Sequence, residues 1–180
     1  MAKQLNIPIG QALQIQQQVF NEFRGMRRFM DTTVIEAQRL GYVCTIAGRR
    51  RYLPDIFSNN PSKAAAAQRQ AINTRIQGSA SDLMKIAMLD MQKVIKQSYI
   101  SNNSSSSRSS SNFSTLVPHL VLQIHDELIY EVPHAISGGV SSFIDKVTTT
   151  LINAGWTCGF TIPLAVKVKI GSRWGDLEAA

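Results

Sequence analysis

Cysteine is scarce in this 180-residue sequence: there are two, Cys44 and Cys158. Neither has a second cysteine or a histidine at metal-ligand spacing, which argues against a zinc site and for two small buried thiols in a reducing compartment. Long apolar runs are absent too. None approaches the roughly 20 residues a membrane-spanning helix needs, and the N-terminus lacks the charged-then-apolar order of a secretory signal. These absences make the chain read as intracellular and soluble. Acidic residues are also in short supply, 12 against 19 lysines and arginines, for a net charge of +7. The resulting pI of about 9.7 suits a polyanionic partner, either nucleic acid or a membrane surface, and says nothing about fold.

What is present is enough for one sizeable core, with 44% hydrophobic residues. Val19, Phe23, Met26, Met30, Val34 and Ala37 recur at helical spacing and predict one amphipathic stripe, divided at Gly25 and ended by Gly41. Tyr42 to Leu53 favours strands around an Ala47-Gly48 turn and predicts a hairpin, carrying Arg49, Arg50 and Arg51. Asn60-Pro61 predicts a helix start, with alanine-rich helix to about Ile76. Ser79-Ala80-Ser81-Asp82 resembles a capping box and predicts a second start. Eight serines among residues 101–111 predict a disordered insertion from Ser98 to Thr115.

Beyond the insertion, Leu120 to Ile124 and Leu128 to Val132 predict two strands around an acidic turn. Ile136, Val140, Phe143, Val147 and Leu151 predict a helix ending near Gly155, and the alternation from Leu164 to Ile170 predicts a half-buried strand. The expected fold class is α+β, helices packed on a small antiparallel sheet. Three segments follow: a helical segment 1–97 with the basic hairpin at 42–53, the insertion 98–115, and a segment 116–180 with the acidic hairpin, a helix and a C-terminal strand.

Two constellations carry chemistry. His125, Asp126 and Glu127 interrupt apolar strands with two adjacent carboxylates, and a turn can aim Asp126 at a cleft while Glu127 points elsewhere. Such hard oxygen ligands suit magnesium, and phosphoryl transfer uses two such ions, so a second carboxylate must come from elsewhere. Spacing alone fits solvated acids in a turn as well. Arg69, Asn73 and Gln77 are four residues apart and share one helix face. Their donors match the minor-groove acceptors present on every A·T and T·A pair, as well as an ordinary solvated face. The arginines Arg24, Arg27, Arg28, Arg49, Arg50, Arg51 and Arg75, with Lys63, add positive charge suited to phosphates.

Several segments taken together resemble A-family DNA polymerases in order and spacing. They are Gly41 to Ile46, Gly48 to Pro54, Arg69-Gln70-Ala71-Ile72-Asn73, Gln77-Gly78-Ser79-Ala80, Gln123 to Leu128, and Gly171-Ser172-Arg173-Trp174-Gly175. The likeness runs from about Gly10 to Leu177. The triple arginine, Tyr130-Glu131-Val132 and the insertion are most similar to the eukaryotic theta and nu branches. This resemblance implies part of a right-hand polymerase fold, with a palm sheet, and template-directed nucleotidyl transfer in DNA replication or repair. It implies primer-template DNA and deoxynucleoside triphosphates as partners, no membrane, and Mg2+ at a two-metal site completed by residues absent from this chain. For a theta- or nu-like protein it implies the nucleus.

Residue by residue, the resemblance implies that Asp126 is catalytic and metal-binding and Glu127 a supporting acid. Gln123 and His125 match residues near the primer terminus, and Arg69, Asn73 and Gln77 match residues on primer-template DNA. Arg49, Arg50 and Arg51 join the expected DNA contacts. Gln68 stands where a glutamate is frequent. The family's first carboxylate motif and its nucleotide-gripping helix have no counterpart, so the chain is expected to be a fragment or truncated product. The alternative is a non-catalytic DNA-binding remnant that keeps the duplex grip alone.

Overall fold

A computed structural model of the chain describes residues 6–100, 117–136 and 138–180. They pack as two compact units, 1–79 and 80–180. Residues 80–97, expected with the first segment, group with the second unit because their apolar face joins its core.

In the first unit, α1 spans Ile9–Glu22 and α2 spans Arg24–Leu40. The break is at Phe23, not Gly25: Phe23 leaves helical geometry at φ −105° and ψ 65°. The α2 ladder then restarts with the Met26 N–H donating to the Phe23 carbonyl at 3.0 Å. Gly25 therefore stays helical. The apolar stripe is covered only along α2, where Thr33 and Ala37 are buried, while Val19, Phe23 and Met26 remain exposed. Gly41 ends α2 in the left-handed region at φ 74°, donating to the Ala37 carbonyl at 2.8 Å.

Strands β1 (Tyr42–Cys44) and β2 (Arg50–Tyr52) pair antiparallel in the expected basic hairpin. A short 3-10 turn, Pro54–Phe57, leads on to α3, Pro61–Asn73. The Asn60 side chain accepts from the Ser62 and Lys63 amides at 2.9 and 3.4 Å, and Pro61 occupies the first helical position, where its missing N–H is harmless. Ala37, Ala67 and Ala71 are all essentially buried, and with Val43, Leu53 and Ile56 they form the core. Small side chains here let α2 and α3 approach closely.

A π turn, Thr74–Gly78, follows α3. Ser79 itself is helical at φ −68° and ψ −39°, so the expected capping box does not form. Its hydroxyl instead donates to the Arg75 carbonyl.

Helix α4 spans Ser79–Ile95, all but its first residue in the second unit, and ends in a π turn, Lys96–Ile100. Tyr99 is buried, so the expected insertion cannot begin at Ser98; its remainder, 101–115, lies outside the described residues. β3 (His119–Ile124) and β4 (Glu127–Glu131) form an antiparallel hairpin. Next comes α5, Gly139–Thr157, so Ile136 precedes the helix and Gly155 lies inside it. Met91, Ile95, Tyr99, Ile136 and Phe143 make the core, with Tyr130 edge-on to Phe143 at 5.7 Å.

Near the C-terminus, Leu164, Val166 and Val168 are half-buried and Ala165, Lys167 and Lys169 exposed, as the alternation requires, but Ile170, expected on the covered side, is exposed. Only Lys169–Ile170 (β5) makes a ladder, with Glu178–Ala179 (β6). The fold class is thus α+β, and the antiparallel pairing appears as separate two-stranded ladders among the described residues. Among those residues, no helix is long and apolar enough to cross a membrane.

Candidate nucleic-acid face and carboxylate turn

The three hairpin arginines divide by the two-residue period of a strand. Arg50 lies opposite Cys44 and places its guanidinium over the Tyr42 ring at 4.9 Å. A hydrogen bond with Tyr52 and the nearby phenols hold its pKa above the ordinary arginine value. Arg49 and Arg51 turn the other way. Arg51 Nη1 donates to Thr74 Oγ1 at 3.2 Å, and Arg49 Nη2 donates to the Gly78 carbonyl at 3.3 Å. All three arginines remain exposed, but only Arg50 is turned away from the π turn.

Arg69, Asn73 and Gln77 are exposed along α3 and the π turn, and α3 turns its alanines Ala67 and Ala71 to the core. Arg75 is otherwise engaged: it pairs with Glu36 and donates to Thr33 Oγ1 at 3.3 Å, tying the π turn to α2. Arg24, Arg27 and Arg28 line an open cleft of about 350 Å³ with Phe20 and Asp31, and Arg27 reaches Asp31 at 3.7 Å.

The acidic turn forms as expected. Ile124 pairs with Glu127, so His125 and Asp126 alone connect β3 to β4. Two-residue hairpin loops need positive φ, and His125 provides it at φ 50°. Histidine tolerates this region better than most side chains. Gln123 Nε2 donates to the His125 carbonyl at 2.7 Å and fastens the turn from within the same hairpin. Gln123, His125, Asp126 and Glu127 are all exposed. Among the described residues neither carboxylate has a hydrogen-bond or ion-pair partner, and no group of three or more histidine, cysteine, aspartate or glutamate side chains is placed to hold a metal. The donor set itself fits a hard cation such as Mg2+, which uses one or two carboxylates and keeps several waters.

Sequence reasoning missed the residues behind the helix face. Ser79 Oγ accepts from the Ile46 amide at 2.9 Å, and Thr45 Oγ1 from the Arg49 amide at 3.1 Å. A Cβ on Gly78 would lie 2.8 Å from Thr45 Cγ2, closer than real contacts allow. The glycine inside a helical run was the available signal, since such a glycine usually marks close packing.

The comparisons with known proteins identify the family. The chain matches the model of DNA polymerase family A over residues 1–176. It is 35% identical over 178 residues to DNA polymerase I of Bacillus caldotenax, covering 99% of this chain and 18% of that protein. It is also 35% identical over 178 residues to DNA polymerase theta of Drosophila melanogaster, covering 8% of it. Equal identity to a bacterial and an animal relative speaks for the family rather than for one branch. The POL domain of Pol1 from M. smegmatis, solved in complex with DNA primer-template and dNTP, superposes with a TM-score of 0.69 at 34% identity, covering 85% of this chain and 24% of that one. The chain therefore spans under a fifth of the length of these full-length relatives, and it belongs to DNA polymerase family A.

Proposed function

We propose that this chain provides the duplex grip and one catalytic carboxylate of a DNA-directed DNA polymerase acting on primer-template DNA and deoxynucleoside triphosphates. The observation that carries the reading is Asp126, exposed on a two-residue turn with no protein partner among the described residues, in a chain of this family. Mg2+, when bound, stabilises the attacking and leaving oxygens of nucleotidyl transfer. Asp126 would hold it, with Glu127 as the supporting acid. Gln123 fixes the turn so that Asp126 keeps one direction, and His125 and Gln123 stand beside the primer terminus in this reading. Arg69, Asn73 and Gln77 read minor-groove acceptors without regard to sequence, as template copying requires.

The test exchanges the matching 178 residues of DNA polymerase I from Geobacillus stearothermophilus for this chain. The chimera is expected to extend primers on a defined template. A chimera that binds primer-template as tightly as its parent yet fails to extend overturns the catalytic reading and leaves a DNA-binding remnant.

A further inference from the structure

We propose that Arg49 and Arg51 serve DNA binding indirectly, by bracing the π turn at Thr74–Gly78 and so setting where Gln77 lies on the duplex-reading face. The brace stands on this chain's own contacts; naming duplex DNA as its beneficiary rests on the polymerase reading.

The need for a brace follows from helix geometry. Four residues of α-helix advance about 40° beyond a full turn. Asn73 is therefore offset from Arg69, and regular α-helix would carry Gln77 as far again around the axis. A π turn closes wider rings and holds more residues per turn. Four residues through it fall short of a full turn, which swings Gln77 back toward the line of Arg69 and Asn73. The turn at Thr74–Gly78 begins directly after Asn73 and contains Gln77.

Wide turns of this kind are rare, because they disturb the backbone ladder. Here side chains attend both ends. At the first end, Arg51 donates to Thr74 Oγ1 at 3.2 Å, and that hydroxyl donates to the Gln70 carbonyl at 2.7 Å. At the far end, Arg49 donates to the Gly78 carbonyl at 3.3 Å, and Ser79 Oγ accepts from the Ile46 amide at 2.9 Å. Gly78 permits the approach, since no side chain separates it from Thr45. Every one of these hairpin groups comes from residues 45–51, so the hairpin spans the turn from end to end. An arginine run is ordinarily a set of phosphate contacts. In this hairpin only Arg50, on the opposite face over Tyr42, keeps that role.

The experiment uses the full 180-residue chain and the variants Arg51→Ala, Thr74→Val, their double mutant and Arg50→Ala. Amide hydrogen exchange at residues 74–78 is read in the free protein, and affinity for primer-template DNA is read across salt concentrations. Loss of one such hydrogen bond is worth about fivefold. Exchange at 74–78 is expected to quicken by about that factor in Arg51→Ala and by at least as much in Thr74→Val, which also loses the bond to the Gln70 carbonyl, with no change in the double mutant beyond that of Thr74→Val. DNA affinity should fall by a similar factor while the log–log salt slope stays at the parent's value. Arg50→Ala should instead reduce the slope by about 1. Unchanged exchange in Arg51→Ala overturns the brace, as does a slope reduced by about 1 in that variant. Quickened exchange with unchanged DNA affinity overturns the effect on Gln77. If the parent chain itself binds no DNA, the polymerase reading fails, and the exchange data still decide the brace.

Discussion

The helix face and the carboxylate turn are built in opposite ways. Behind Arg69, Asn73 and Gln77 stands a network between distant parts of the chain: Arg51 to Thr74, Arg49 to Gly78, Ile46 to Ser79 and Arg75 to Glu36. Asp126 and Glu127 rest on one hairpin, whose turn is fastened from within by the Gln123 side chain on the His125 carbonyl and whose open end carries His119 beside Glu131 at 3.3 Å. A grip must present several donors at fixed spacing, so long-range bracing serves it. In the proposed reading a carboxylate needs lone pairs open to the ion, and an exposed turn leaves them open. The two regions should fail differently when mutated.

The largest expected effect is at the turn. In the chimeric polymerase, Asp126→Asn keeps the shape and removes the charge, and should lower the primer-extension rate by about a hundredfold or more, several kcal/mol of transition-state stabilisation. Glu127→Gln should cost less, because the role proposed for it is supportive. An equal loss in both variants would erase the distinction between the two acids.

The next effect is on the braced side. Gly78→Ala pushes a methyl against Thr45 and should destabilise the first unit by about 1–3 kcal/mol, read as a lower urea midpoint. An unchanged midpoint would mean that the hairpin and the π turn are less tightly joined than their contacts imply.

How much of this was legible in the sequence follows the same division. The acidic turn was readable because its cause is local: apolar strands on either side and the polar interruption His125-Asp126-Glu127, of which Glu127 proves to begin the second strand. The basic hairpin and the Asn60 cap were readable for the same reason. The π turn was not, because the helical pattern runs through it and Ser79-Ala80-Ser81-Asp82 copies a helix start. What fixes the π turn comes from residues about 30 positions earlier, such as Ile46, which is 33 residues from Ser79. The division at Phe23 was hidden by the nearby glycine, and the polar roles of Arg49 and Arg51 were hidden by their charge. The shortness of β5 was hidden because alternation reports which side is covered and not whether a partner strand exists.

The smallest effect belongs to the core beneath the acidic hairpin. Burial pushes the Tyr130 phenol up to about 12 from an ordinary value of 10.0. Among the described residues its hydroxyl has no hydrogen-bond partner. Below pH 10 the phenol is neutral folded or unfolded, and the stability is fully present. It is lost as pH rises through about 12, because only the unfolded state ionises freely in that window. Tyr130→Phe should flatten this alkaline loss and change stability at neutral pH by no more than about 1 kcal/mol. Chemical denaturation at pH 7 and pH 11 checks both statements, and a Tyr130→Phe variant with the parent's alkaline slope would contradict them.

The separation of grip from chemistry is tested most directly by single-turnover primer extension in the chimera, measured across primer-template concentrations for Asp126→Asn and Arg69→Ala. Asp126→Asn is expected to lower the maximal rate while leaving the apparent DNA affinity at the parent's value. Arg69→Ala is expected to weaken that affinity by about tenfold, the worth of one good groove contact. An Asp126→Asn variant that extends primers at close to the parent's rate would contradict the account.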